Sequence, residues 1–175
     1  MERKSTYEII LERRSIRSFR SDPIPEEHLR KIFTAAQRAP SAGNRQPWHF
    51  YVVRNYELKQ ALAEAAFDQE FVAQAPVVIV VCADPERSAV RYGERGRTLY
   101  SIQDTASAVM NIWLTVVELG LASCWVGAFD EARAAKALSL PSHLRPVAIL
   151  PVGFPGEQGR ITPRRPLEEI VTFLD

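Results

Sequence analysis

Apolar residues recur every three to four positions in five stretches of the chain, a spacing that gives a helix one apolar face. Ser5 and Glu8 have capping-box spacing at the start of the first stretch, and Gly120 stands at the C′ position after the fourth. The fourth stretch is apolar around most of its circumference, which in a soluble protein indicates burial on several sides, within this chain or against a second one. The predicted helices cover about residues 6–13, 25–39, 56–67, 98–119 and 131–140.

Four further apolar runs have the length and the β-branched and aromatic content of strands. The second run is too continuous for a half-exposed strand, so we expect it in the middle of a sheet. The alternation of helices and buried strands predicts an α/β or α+β fold with four or five strands between helices. The four runs read WHFYVVR, APVVIVVCAD, SCWVGAF and RPVAILPVGFP.

Two polar segments have no place in that pattern. The stretch PERSAVRYGERGR contains two glycines and is predicted to be a mobile connection. The closing stretch GEQGRITPRRPLEEIVTFLD has too little apolar content to pack as a unit. We expect it to fray or to lie across a neighbour.

Composition and charge restrict the classes of function. The 175 residues carry a formal net charge of +1, which excludes a globally basic nucleic-acid binder, so any anion recognition is local. Charges at the start of the chain and the lack of an apolar run of about 18 residues argue against a signal peptide and a membrane span. We therefore expect a cytoplasmic protein. Cys82 and Cys124 sit inside apolar runs and are interpreted as buried thiols, with no metal site indicated.

No side-chain motif for catalysis stands out. His28, His49 and His143 lack acidic or cysteine partners at catalytic spacing, and the common nucleophile, zinc-protease, P-loop and dinucleotide-binding motifs are missing. If the chain is an enzyme, we expect a cofactor to supply its reactive group. Three segments are candidates for holding one: RRSIRSFR (13–20), APSAGNRQPWHF (39–50) and PRRP (163–166). Taken alone, each also fits a plain structural role as solvated arginines, a polar loop or a basic tail.

Together, and in this order, these segments with CWVGAF and RRPLEEIV resemble the FMN-dependent nitroreductase family. The resemblance runs from about residue 8 to 173 and is most specific in SAGNRQPWHFYVV. It implies an α+β, nitroreductase-like fold over residues 1–175 as a single FMN-binding domain, with a central mixed sheet of four to five strands flanked by helices. It also implies a homodimer with FMN at the interface and a C-terminal segment exchanged between the subunits.

The resemblance assigns an FMN site residue by residue. Arg17 is expected to reach the N1–C2 carbonyl edge of the flavin, which becomes negative on reduction, and the backbone N–H of Gly127 is expected to point at flavin N5. These two are the catalytic candidates. Arg13, Ser15 and Arg165 are expected to hold the phosphate and ribityl chain, with Arg14 and Arg164 beside them. The other expected contacts are Pro40, Ser41, Ala42 and Asn44 from the partner subunit, and Gln69 and Val126 at the ring. Asp68 is an alternative to Gln69, and Arg20 has no assigned partner.

The implied reaction is ping-pong: NADH or NADPH gives a hydride to tightly bound FMN, and a nitroaromatic, quinone or similar electrophile then takes it. Arg91, Arg95 and Arg97 could favour NADPH, with a solvated loop as the alternative interpretation. The short stretch 84–97 suggests an open or mobile lid. A flavin reductase, a dehalogenating relative and a flavin-binding sensor or carrier with little turnover remain alternatives. No nucleic-acid or membrane partner is expected.

Overall fold

A four-stranded sheet with helices packed on both faces forms the centre of the structure, a computed structural model that describes residues 4–174. The strands are β1 (Trp48–Val53), β2 (Val77–Ala83), β3 (Ala122–Ser123) and β4 (Arg145–Gly153). The helices are α1 (Thr6–Glu12), α2 (Glu26–Gln37), α3 (Tyr56–Ala65), α4 (Phe71–Gln74), α5 (Pro85–Arg95), α6 (Ser101–Glu118) and α7 (Glu131–Ala137). The α+β class is confirmed.

The strands are ordered β1-β2-β4-β3, and all three neighbouring pairs are antiparallel. Among residues 4–174, the parallel part of the expected mixed sheet is a single bridge between Ser15 and Ser123. β2 lies inside the sheet and is buried along its whole length, as its continuous apolar run predicts. β3 is shorter than predicted, because the chain leaves the ladder after Ser123 and returns for one bridge, between Val126 and Ile149.

The core has two layers, one on each face of the sheet. Ile79 and Val81 of β2 belong to a cluster with α2 and α6, whereas Val78 and Val80 belong to a cluster with α3, α4 and α7. Successive side chains of a strand point to opposite faces, which explains this division. Cys82 lies in the second cluster as a free thiol, and burial raises its pKa to about 12. The prediction of an inert buried thiol is therefore confirmed for this residue.

The stretch predicted to be a mobile connection forms α5 instead. Asp84 caps this helix by accepting a backbone hydrogen bond, and Pro85 occupies its first turn. Arg97 adds ion pairs to Glu86 and Glu94 across the same segment. The prediction was wrong because the helix depends on a cap and on charge pairs rather than on an apolar stripe, and a one-turn π-helix (96–100) then joins it to α6.

The predicted helix-end signals are present. Both hydrogen bonds of the Ser5/Glu8 capping box form, and Asp130 caps α7. Gly120 follows α6 with a φ of +70°, the left-handed conformation of a C′ glycine. The single turn α4 was not predicted, since four residues are too few to show helical periodicity.

The C-terminal segment 160–174 is exposed along its whole length, with one 3-10 turn at Leu167–Glu169. This agrees with the expectation that the tail does not pack as a unit on its own chain. Across residues 4–174, each helix is too short or too polar to cross a bilayer.

Candidate active site

The arginine-rich segment after α1 runs beside the edge of the sheet. α1 ends at Glu12, and at the C-cap residue Arg13 the backbone leaves the helical conformation, with φ −53° and ψ 130°. Two residues later Ser15 forms its bridge with Ser123, and the Ile16 N–H donates to the Ser123 carbonyl at 3.1 Å. The Ile16 side chain is buried, whereas the Arg13, Ser15 and Arg17 side chains line a cleft. The sheet edge therefore fixes the arginines that the sequence singled out.

That cleft has a volume of about 740 Å³ and is strongly basic. Its lining residues include no carboxylate, and burial, then Arg164, then Arg14, lower the pKa of the Arg13 guanidinium. A group of arginines without a counter-charge is suited to bind a phosphate through charge-assisted hydrogen bonds. The lining residues are Ile10, Leu11, Arg13, Arg14, Ser15, Arg17, Met110, Arg160, Ile161, Thr162 and Arg164. We call this the arginine cleft.

The segment 156–160 holds the arginine cleft together from the other side. Glu157 accepts a hydrogen bond from the Arg17 N–H at 2.8 Å, and the Gly156 N–H donates to the Ser18 carbonyl at 2.8 Å. A Cβ at Gly159 would lie 2.5 Å from Arg14 Cβ, so the two segments approach closely only with glycine there. These contacts bring Arg160 and Arg164 to the cleft.

The structure differs from the sequence-based assignment at Arg165 and Arg160. Arg164 lines the arginine cleft as expected, whereas Arg165 lies outside its lining and pairs with Glu169 at 3.1 Å. Arg160 lines the cleft and was not predicted. The signal that could have found it is the spacing in GEQGR, where two glycines allow close packing immediately before an arginine.

The Gln69 side chain binds the residue that follows Gly127. The Gln69 Nε2 donates to the carbonyls of Ala66 at 2.8 Å and Ala128 at 3.3 Å, so this side chain holds the peptide next to Gly127. Gly127 is an exposed residue, and within residues 4–174 its N–H has no hydrogen-bond acceptor. Asp68, the alternative to Gln69, is exposed and has a φ of +60°. The geometry thus brings Gln69, rather than Asp68, to this segment.

Arg17 and Val126 occupy different environments near that segment. The Arg17 guanidinium carbon lies 5.9 Å from the ring centroid of Phe71, which begins α4 two residues after Gln69. The Val126 side chain is buried in the second core cluster. Arg17 therefore spans from the arginine cleft toward the Gln69–Gly127 region, whereas Val126 supports that region from inside.

The loop with Pro40, Ser41, Ala42 and Asn44 is anchored on α6. The Ala42 N–H donates to both carboxylate oxygens of Asp104, at 3.1 and 3.2 Å, and the Ser41 Oγ accepts from the Gln46 N–H at 3.0 Å. Asp104 is buried, and burial raises its pKa while the Ala42 hydrogen bond lowers it. Sequence reasoning missed Asp104, because its partner is remote in sequence.

The loop and the arginine cleft are separated within one chain. Asp104 holds the loop, and Trp113, against which Arg13 stacks, lies further along α6. Nine residues of helix span about 13 Å. Pro40 and Asn44 are exposed, and neither lines the cleft. One chain therefore does not bring this loop to its own arginine cleft.

Cysteine and metal chemistry have no support at this site. Burial raises the pKa of Cys124, although Arg17, a hydrogen bond from Ser15 and Arg13 oppose that shift. The thiol is 2% exposed and free. Within the described part of the chain, no three His, Cys, Asp or Glu side chains group in a way that could hold a metal ion.

Comparison with known proteins identifies the family. A profile of the Nitroreductase family matches residues 10–70 and 65–154. The chain belongs to the nitroreductase family. An NADH dehydrogenase of Thermus thermophilus is 37% identical over 190 residues, which cover 93% of each chain. A nitroreductase family protein from Clostridium novyi has a crystal structure with a TM-score of 0.80 and 35% identity over 88% of this chain and 87% of that one.

The name of a third relative includes FMN, and its structure contains a nicotinamide nucleotide. The NADPH:FMN oxidoreductase of Vibrio harveyi, solved in complex with NAD⁺, has a TM-score of 0.89 and 27% identity over 97% of this chain and 77% of its own. Membership in the nitroreductase family makes this chain an oxidoreductase. It also confirms the resemblance from which the site residues were assigned.

Proposed function

We propose that the chain is an FMN-dependent NAD(P)H oxidoreductase, with one FMN-binding domain over residues 1–175. The observation that carries this proposal is the arginine cleft, where Arg13, Arg14 and Arg164 converge with Ser15 and no carboxylate. The FMN phosphate is a dianion that guanidinium groups bind bidentately, so these residues fit the group. Arg165 lies beside Arg164 in the chain and is proposed to complete this set.

The ring end of the proposed site is the Gln69–Gly127 region. Gly127 is an exposed residue whose N–H has no acceptor among residues 4–174, which suits a nitrogen at the reactive edge of a flavin. Arg17 extends toward the same region and would supply positive charge at the carbonyl edge of the ring. When bound, FMN accepts a hydride from NADH or NADPH at N5 and passes it to a nitroaromatic, quinone or similar electrophile in a ping-pong sequence.

The proposal includes a homodimer, because several apolar side chains face solvent in one chain. Ile10 and Leu11 of α1 and Met110 of α6 are exposed where they border the arginine cleft. Phe173 and Leu174 are 87% and 91% exposed in the tail. Burying such groups against a second copy is favourable. It would also bring Pro40, Ser41, Ala42 and Asn44 to the partner's cofactor, since one chain does not bring them to its own.

The free edge of β1 offers a docking surface for the exchanged tail. Among residues 4–174 this strand pairs only with β2, so its other edge leaves backbone groups available for pairing. A groove of about 890 Å³ lies between β1 and α2, and Leu29, Phe33 and Phe50 contribute to its apolar lining. We propose that the apolar tail of the partner adds along this edge as a fifth strand.

The visible spectrum of the purified protein tests the proposed function. A yellow protein with a flavin spectrum, bleached by NADH or NADPH without oxygen and restored by a quinone, is the expected result. A colourless protein that takes up no FMN would contradict the proposal. A yellow protein that neither donor bleaches would instead indicate a flavin-binding sensor or carrier.

A further inference from the structure

Three arginines, Arg45, Arg87 and Arg91, lie where α5 meets the loop after Pro40, and a fourth, Arg95, lies beyond a break in the helix at Gly93. Arg45 and Arg87 are linked reciprocally: the Nε of each donates to the backbone carbonyl of the other. Arg91 lies one turn beyond Arg87 on α5, and its guanidinium carbon is 5.5 Å from the Tyr92 ring centroid. Arg95 donates to the Tyr100 hydroxyl at 2.9 Å. We call Arg45, Arg87, Arg91 and Arg95 the α5 arginine surface.

Carbonyls and aromatic rings, rather than carboxylates, hold these side chains. The Tyr92 and Tyr100 rings pack edge to face with centroids 5.1 Å apart and link the Arg91 and Arg95 ends of the surface. Among residues 4–174, none of the four arginines forms an ion pair. Four arginines without an ion-pair partner are suited to bind a multiply charged anion.

Arg97, in the same segment, differs from these four arginines because ion pairs neutralise its charge. It pairs with Glu86 at 2.8 Å and with Glu94 at 3.2 Å. These contacts raise its pKa, through the Glu86 hydrogen bond first. Arg91, Arg95 and Arg97 were the arginines that the sequence suggested for nucleotide selection. The charge of Arg97 is neutralised by ion pairs, whereas among residues 4–174 Arg91 and Arg95 form none.

The α5 arginine surface adjoins the loop that is proposed to contact FMN. A Cβ at Gly43 would lie 3.0 Å from the Arg91 Nη1 and 2.5 Å from the Tyr92 Oη, so both side chains pack directly on that loop. Arg45 follows the loop by one residue. A nicotinamide that stacked on the partner's flavin beside this loop would have its adenosine end within reach of the exposed guanidinium groups.

We propose that the α5 arginine surface binds the 2′-phosphate of NADPH, and that the enzyme therefore prefers NADPH to NADH. The pyrophosphate is common to both donors, so only the additional phosphate on the adenosine ribose discriminates between them. A phosphate monoester carries close to two negative charges at neutral pH, and guanidinium groups bind it through charge-assisted hydrogen bonds. This inference rests on the proposed function, because it names the donor of that reaction.

The test compares kcat/KM for NADPH and NADH, with benzoquinone as the common acceptor. For Arg91→Ala we expect kcat/KM with NADPH to fall about five- to tenfold, as for loss of one charge-assisted hydrogen bond, and the NADH value to stay within about twofold. Arg133→Ala is the matched control, since Arg133 is an exposed arginine on α7 that pairs with Glu64. It should change neither value.

A binding measurement that needs no turnover gives a second readout. Titration calorimetry should show that adenosine 2′,5′-bisphosphate binds the purified protein more tightly than adenosine 5′-monophosphate, and that Arg91→Ala removes the difference. Equal binding of both nucleotides would overturn the inference, and so would an unchanged ratio of kcat/KM for NADPH to kcat/KM for NADH in Arg91→Ala. If the protein is still an active flavoenzyme in that case, the proposed function stands. A protein that neither donor reduces would contradict the proposed function itself.

Discussion

The guanidinium carbon of Arg13 lies 4.2 Å from the ring centroid of Trp113. The indole is 7% exposed in the middle of α6 and packs against Trp125, with ring centroids 6.5 Å apart. Within residues 4–174, Arg13 has no carboxylate partner, and burial lowers its pKa. A cation–π contact with a buried ring therefore orients the cation at the wall of the arginine cleft.

Replacing Trp113 by leucine should weaken FMN binding through Arg13. A partly desolvated cation–π contact contributes about 0.5–2 kcal/mol, so the dissociation constant of FMN should rise about two- to thirtyfold. Riboflavin lacks the phosphate, and its binding should change much less. Fluorescence titration of the apoprotein with both flavins measures the two constants, and Trp113→Phe, which keeps an aromatic face, should lie between the parent and Trp113→Leu.

A double-mutant cycle separates this role from a general packing defect. If Trp113 acts through Arg13, the leucine substitution should have little further effect on FMN affinity in an Arg13→Ala background. An equal loss of FMN and riboflavin affinity, or full additivity with Arg13→Ala, would show that Trp113 matters only for packing.

Arg17→Ala should slow flavin reduction more than it weakens FMN binding. Its guanidinium extends toward the ring end of the site, where fixed positive charge stabilises negative charge that develops on hydride uptake. Stopped-flow absorbance without oxygen measures the reduction rate, and titration measures the affinity. Arg20→Ala is the control in the same segment, because Arg20 pairs with Asp22 at 2.8 Å outside the arginine cleft. Equal reduction rates in Arg17→Ala and the parent would exclude this role.

Asp104→Ala should destabilise the fold, and Asp104→Asn should destabilise it less. The alanine variant leaves the Ala42 N–H without its acceptor, at a cost of about 1–3 kcal/mol if that group stays buried. Asparagine keeps an acceptor oxygen and removes a buried charge. Urea unfolding of both variants measures the difference, and equal losses would mean that the hydrogen bond is not what Asp104 contributes.

The contribution of Asp104 to the free energy of unfolding should change with pH in a defined direction. Burial raises the pKa of folded Asp104 above its ordinary value of 3.8, so between the two values the folded state binds more protons than the unfolded state. Stability from this group is therefore greatest below the ordinary value and falls as pH rises through the raised pKa. Relative to Asp104→Asn, the parent should lose stability over that window and level off above it. A difference that does not change with pH would contradict this.

Local sequence patterns predicted the parts of the fold that depend on local chemistry. The continuous apolar run of β2 predicted burial, and the Ser5/Glu8 spacing predicted a helix start. The α5 helix was missed because a cap and charge pairs, rather than an apolar stripe, support it. The density of arginines in RRSIRSFR singled out in advance a segment that lines the arginine cleft.

Contacts between distant segments could not be predicted in this way. Glu157 binds the Arg17 N–H across 140 positions of sequence, and Asp104 binds the Ala42 N–H across 62. A lone acidic residue in a helix or a polar tail has no local signal that names its partner. The family resemblance supplied the roles of the loop and of Gly127, and the three-dimensional structure was needed to find what positions them.

The tail offers a direct test of the proposed dimer. A variant that ends at Pro166 keeps Arg160, Arg164 and Arg165 but loses the exposed apolar residues beyond them. We expect its mass in sedimentation to fall from that of a dimer toward that of a monomer. FMN affinity should fall with it, because the loop from the second copy would no longer complete the site.

Point variants distinguish the loss of apolar burial from the loss of chain length. Phe173→Asp should weaken the dimer in the same direction, since it places a charge where an apolar side chain would be buried. Glu168→Gln changes an exposed residue of the same segment and should leave the mass and FMN content unchanged. A truncated protein that remains fully dimeric and yellow would show that the tail does not hold the subunits together, and the apolar surface of α1 and α6 would then be the interface to mutate next.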